Sequence, residues 1–138
     1  MLQPNRPAKV VFACVQNAGR SQMAAAFFNA LADPQKARAF SAGTEPAAAV
    51  HPEVLAVMRE VGLDLSTRRP RRLTPELAAG AAVLVTMGCG AACPAVPGAR
   101  RIDWALEDPK GKPLPRIRAI RDQIRARVAA LIEEEGWG

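Results

Sequence analysis

The 138-residue chain has no tyrosine and only one histidine, and its two tryptophans and four phenylalanines make up an aromatic share of 4%. A net charge of +6 suits an anionic partner, but with so few rings to stack on bases no nucleic-acid partner is expected. Cysteine is scarce too. Three cysteines are an odd number and too few to staple a chain of this length, and a four-ligand zinc site would have to use every one of them together with the single histidine, so no metal is expected. No apolar run reaches membrane-spanning length, and Met1-Leu2-Gln3-Pro4-Asn5-Arg6-Pro7 lacks the apolar centre of a signal peptide. A cytoplasmic location without a membrane partner is the expectation.

Hydrophobic residues at 49% and charged residues at 23% describe an ordinary globular chain, long enough for one core and too short for two. The expected organisation is a short tail over 1–7 and one domain over 8–138, acting as a monomer. Val10 to Val15 reads as a buried strand and Gln22 to Leu31 as a helix. Ala37 to Gly43 is a second strand. His51-Pro52 opens a helix with the apolar face Val54, Leu55, Val57, Met58 and Val61, closed by Gly62. Thr74 caps a short helix with Pro75 at its first position. Ala82 to Met87 is a third strand, Arg100 to Ile102 a fourth, and Ile117, Ile120, Ile124, Val128 and Leu131 mark a long closing helix. Its arginines, Arg116, Arg118, Arg121, Arg125 and Arg127, read as a solvated face. Strands alternating with helices, several of them apolar throughout, predict an α/β fold: a four-stranded parallel sheet flanked by helices on both faces.

Where the first strand meets the first helix stands Cys14-Val15-Gln16-Asn17-Ala18-Gly19-Arg20-Ser21. A helix N-terminus offers unpaired N–H groups and positive partial charge, so this loop welcomes anions. Two can use it: Cys14 as a thiolate, and a tetrahedral oxyanion held by the backbone from Val15 to Gly19. The planar fork of Arg20 can take two substrate oxygens, and Ser21 can donate to the sulfur. Gly19 permits an unusual backbone angle, and Asn17 can brace the loop. Alone, Cys14 would read as an inert strand cysteine and Arg20 as a surface charge. Their order between strand and helix favours catalysis.

Cys89 and Cys93 share the loop Met87-Gly88-Cys89-Gly90-Ala91-Ala92-Cys93-Pro94. Residues four apart on a helical turn stand about 6 Å apart at Cα, within disulfide range, so a redox pair, a metal site and two incidental cysteines are the readings to weigh. His51, beside Pro52, suits capping or packing better than catalysis. Asp108-Pro109 is by spacing a turn aspartate. The cluster Arg68-Arg69-Pro70-Arg71-Arg72 is a candidate phosphate-binding rim.

From about residue 8 to 132 the chain resembles the thioredoxin-coupled arsenate reductases built on the low-molecular-weight tyrosine phosphatase fold. The Cys14 to Ser21 loop carries the resemblance, supported by Ser41-Ala42-Gly43-Thr44-Glu45-Pro46, Val61-Gly62-Leu63-Asp64-Leu65-Ser66, Val85-Thr86-Met87-Gly88-Cys89 through Cys93-Pro94, and Asp103-Trp104 with Asp108-Pro109. The Cys-x5-Arg-Ser loop is common to phosphatases and reductases; the pair Cys89 and Cys93 separates them. The resemblance implies arsenate reduction for arsenic detoxification. Cys14 attacks arsenate, Asp108 protonates the departing oxygen, Cys89 attacks Cys14, and Cys93 resolves the pair to a Cys89–Cys93 disulfide. It implies no bound cofactor and an external reductant, thioredoxin or a small thiol.

Two departures matter. Three residues separate the relay cysteines, fewer than in many such enzymes, and Ala25 stands where some members place a potassium-binding acid, although Asn17, Ser41 and Asp64 remain. No strong potassium site is expected. The rival readings are a phosphatase on phosphotyrosine or small phosphate esters, disfavoured by Lys110 where such enzymes carry tyrosine, and a non-enzymatic oxyanion or arsenite sensor.

Overall fold

In the computed structural model, which describes residues 6–89 and 92–138, the first apolar run is strand β1, Ala8–Cys14. Val10, Val11, Phe12 and Ala13 are completely buried, so both faces of the strand are covered and it belongs mid-sheet. It pairs in parallel with β2 (Ala37–Gly43) on one side and with β3 (Val83–Thr86) on the other. In turn β3 pairs in parallel with β4 (Arg100–Asp103), giving the order β2-β1-β3-β4. The expected four-stranded parallel sheet is present. Ala82 and Met87 fall outside β3, and β4 is an edge strand whose Arg100, Arg101 and Asp103 are exposed.

The helices are α1 (Arg20–Leu31), α2 (Pro52–Arg59), α3 (Pro75–Ala78) and α4 (Leu114–Glu135). Side chains alternate across β1, which sorts the core into two layers. Val10, Phe12 and Cys14 face Met23 and Phe28 of α1, Met58 of α2, and Ile117, Ile120 and Ile124 of α4. Phe12 meets the edge of Phe28 with ring centroids 5.9 Å apart, and truncating it to alanine would cost about 3–5 kcal/mol. Val11 and Ala13 face the other way, against Leu73, Ala78, Ala81, Leu84, Cys89 and Cys93. Helices therefore flank both faces, but unevenly: among the described residues the second face is covered by the four-residue α3, Leu73 ahead of it and the cysteine segment.

Local signals act as their chemistry requires. Thr74 Oγ1 accepts from Leu77 N at 3.1 Å with Pro75 in the first turn, and α4 stops at Gly136, whose φ of 70° is left-handed. Arg121 departs from the solvated-face reading. It is buried, donating to Val57 O at 2.9 Å and to Glu60 Oε1 at 2.8 Å, because α2 packs over that side of α4. Residues 1–5 of the expected tail and Gly90 of the cysteine loop lie outside the described residues. Among the described residues, no helix is long and apolar enough to cross a membrane.

Candidate active site

The chain leaves the central strand β1 toward β2 on one side and later returns to β3 on the other. A crevice forms beyond the strands' carboxyl ends where such a sheet reverses direction. Cys14, the last residue of β1, stands there, and Arg20 opens α1. The carbonyls of the intervening loop are taken: Cys14 O accepts from Thr44 N, Val15 O from Glu45 N, Gln16 O from Ala47 N and Ala18 O from His51 N, at 2.8–3.1 Å. The N–H groups of Gln16, Asn17, Ala18 and Gly19 find no acceptor among the described residues, leaving them for an anion. His51 thus supports the loop through its backbone, and its side chain makes no cap bond.

A short chain of hydrogen bonds runs to Cys14. Asn17 Nδ2 donates to Ser21 Oγ at 2.7 Å, and Ser21 Oγ lies 2.9 Å from Cys14 Sγ. Because that oxygen already accepts from Asn17, its single hydrogen is free for the sulfur. All three residues are buried. Asn17, not Gly19, takes the left-handed backbone angle, with φ of 52°, and its Oδ1 accepts from Gln22 Nε2 at 3.2 Å and from Arg71 N at 3.0 Å. Gly19 has φ of −142° and ψ of −91°, outside the helical and extended regions, and a Cβ there would also stand 2.8 Å from Pro109 Cγ. Gly43 packs as closely, since its Cβ would lie 2.5 Å from Val15 O.

Arg20 is buried, and its Nη1 donates to Leu106 O at 3.1 Å. Its Nη2 lies 3.7 Å from Asp108 Oδ2, so Asp108 does reach the rim of the loop. Asp108 itself is half exposed, and its Oδ1 accepts from Lys110 N at 3.0 Å. The neighbouring Gly88 has φ of 93° and lies against the guanidinium.

Cys14 is a free thiol, and Cys89 and Cys93 are joined as a disulfide with Cα atoms 5.5 Å apart. The pair lies in the second core layer, across the sheet from Cys14, with Cys89 Sγ 3.8 Å from Ala13 O. Arg101 Nη1 donates to Cys93 O at 3.1 Å and its Nε to Asp103 Oδ1 at 3.1 Å, so β4 pins the far end of the pair. Hydrogen bonds from Thr86 and then Arg101 hold the Asp103 carboxyl below its ordinary value.

The arginine cluster divides. Arg72 Nη1 donates to Thr44 O at 3.0 Å and Arg71 reaches Asn17 through its backbone. Arg68 and Arg69 line a separate cavity that includes no residue from Cys14 to Arg20. Sequence reasoning did not assign Gly43, Gly88, Gln22 or Leu106 to the site. Only the glycines, Gly43 closing β2 and Gly88 just beyond β3, left a mark that could have been read.

Together, sheet and loop define an enzyme class that holds a tetrahedral oxyanion over a cysteine nucleophile. The chain belongs to the low molecular weight phosphotyrosine protein phosphatase family, whose model matches residues 9–135. A Halobacterium salinarum protein is 40% identical, over 91% of this chain and 92% of its own length. The glutaredoxin arsenate reductase of Synechocystis is 38% identical over 90% of this chain and 95% of its own. Among solved structures, the Corynebacterium glutamicum thioredoxin-dependent arsenate reductase superposes with a TM-score of 0.81 at 36% identity. That match covers 94% of this chain and 62% of the longer one.

Proposed function

We propose that this chain is an arsenate reductase working through a relay of three sulfurs, with the backbone from Val15 to Gly19 and the fork of Arg20 holding the substrate. The Cys14 thiolate, assisted by Ser21, attacks arsenic(V), and an oxygen departs as water with a proton from Asp108. Cys89 as thiolate then attacks Cys14 Sγ. The Cys14–Cys89 bond forms, the arsenic–sulfur bond breaks, and its electron pair stays on arsenic, which leaves as arsenite. Cys93 attacks Cys89 and releases the Cys14 thiolate. The two electrons lost by the cysteines return when an external dithiol reduces Cys89–Cys93.

The observation that carries this reading is the covalent state itself: a free Cys14 in an oxyanion cradle alongside a Cys89–Cys93 disulfide. That is the state following the last exchange. A phosphatase would use the cradle without the pair. Thioredoxin is favoured as the reductant over a small thiol because the pair is buried, and displacement at a covered sulfur favours a docked protein that can open it.

The test is arsenate turnover with thioredoxin, thioredoxin reductase and NADPH, beside hydrolysis of an aryl phosphate. Reduction should vanish in Cys14→Ser, Cys89→Ser and Cys93→Ser, whereas hydrolysis should vanish only in Cys14→Ser. Full reduction in the second and third variants would overturn the relay.

A further inference from the structure

Arg68, Arg69 and Arg71 open onto a cavity of about 680 Å³ between α1, β2 and the segment ahead of α3. Arg38 joins them from β2, and no carboxylate lines the cavity. Elsewhere the protein pairs several of its arginines with acids, Arg116 with Glu107, Arg118 with Glu60 and Arg100 with Glu135. Here it does not. The side chains of Arg68 and Arg69 make no hydrogen bond or ion pair among the described residues, while Arg38 donates only to Pro34 O and Arg71 to Ser41 O. Like charges gathered round one hollow repel each other, and an anion inside relieves that repulsion.

Size and chemistry narrow the anion. Small-molecule sites span about 300–1,000 Å³, and this cavity is far roomier than a single tetrahedral oxyanion requires. Guanidinium forks match pairs of phosphate oxygens. The ring of Phe40 on the cavity wall is already engaged by Lys9 at 5.3 Å and Arg71 at 5.7 Å, which leaves poor provision for a base. We propose that the cavity is a second anion site that takes a condensed phosphate, pyrophosphate or a longer linear phosphate, on Arg38, Arg68, Arg69 and Arg71. It stands whatever reaction the Cys14 loop performs. Its occupant also touches that loop at one remove, since Arg71 N donates to Asn17 Oδ1 and Gln22 Nε2 bridges Asn17 Oδ1 to Arg69 O, at 3.2 and 3.5 Å.

Calorimetric titration with pyrophosphate tests this. In Arg20→Ala, which disables the catalytic cradle, one pyrophosphate site should survive. Adding Arg68→Gln and Arg69→Gln should weaken that site about tenfold or more, while adding Arg125→Gln and Arg127→Gln, which removes equal charge elsewhere, should leave it nearly unchanged. The Arg68 and Arg69 changes should leave the melt like the parent's, because neither side chain makes a hydrogen bond or ion pair among the described residues. The proposal fails if Arg20→Ala binds no pyrophosphate, if the Arg68 and Arg69 changes have no effect, or if the two pairs weaken binding equally.

Discussion

Gly88 lies against Arg20 so closely that a Cβ at residue 88 would stand 2.3 Å from Arg20 Nη1 and 3.0 Å from its Cζ. That same Nη1 donates to Leu106 O and Nη2 lies 3.7 Å from Asp108 Oδ2, so a retreat of the guanidinium gives up both contacts. Gly88→Ala should therefore displace the fork and lower kcat/KM on the order of 10²-fold, for arsenate and for an aryl phosphate alike. Steady-state kinetics on both substrates checks this. Loss of reduction alone would place the role of Gly88 in the cysteine loop.

Asn17 ties three segments together, donating to Ser21 and accepting from Gln22 and from the Arg71 backbone. Asn17→Gly would keep the left-handed angle and delete the carboxamide, leaving Arg71 N without its acceptor and Ser21 Oγ without its donor at about 1–3 kcal/mol. Urea denaturation should show the loss. Turnover should fall with it, since Ser21 loses the partner that aims its hydroxyl at Cys14.

Opposite faces of the sheet hold Cys14 and the disulfide, so the reduced Cys89 must travel round the end of β3 before it can attack. In Cys93→Ser nothing can resolve that attack. Treated with arsenate, this variant should accumulate a Cys14–Cys89 link, visible by peptide mass mapping after thiol blocking, and should release no more than one arsenite per chain. Repeated turnover by Cys93→Ser with thioredoxin would contradict the sequence of exchanges.

Glu60 joins α2 to α4. Hydrogen bonds from Arg118 and then Arg121 hold its carboxyl below the ordinary glutamate value. A depressed folded value stabilises the fold above the unfolded one, and that contribution is lost as pH falls through the folded value. Glu60→Gln should therefore melt below the parent at pH 7, and the gap should close as pH falls below the ordinary glutamate range. Thermal melts across that range check the sign.

The fold and the place of the Cys14 loop within it were legible because their signals are local. Val10 to Ala13 is apolar throughout, Gly-Arg-Ser follows within one turn, and the spacing of Ile117, Ile120 and Ile124 marks a buried helix face without reference to any neighbour. The bracing of the site was not legible. Arg71 reaches Asn17 across 54 positions and Arg20 reaches Leu106 across 86, and no periodicity encodes a meeting that only the crossovers arrange. Arg121 was misread for the same reason. On its own helix it looks like any surface arginine, and only the arrival of α2 covers it.

The partition of sulfurs across the sheet bears on product escape. Arsenic in its +3 state clings to thiols and is held hardest where several surround it. A protein carrying three cysteines for one reaction could become a trap for what it makes. With Cys14 alone on one face and its two companions bonded to each other behind β1, the spent enzyme offers arsenite no chelating nest.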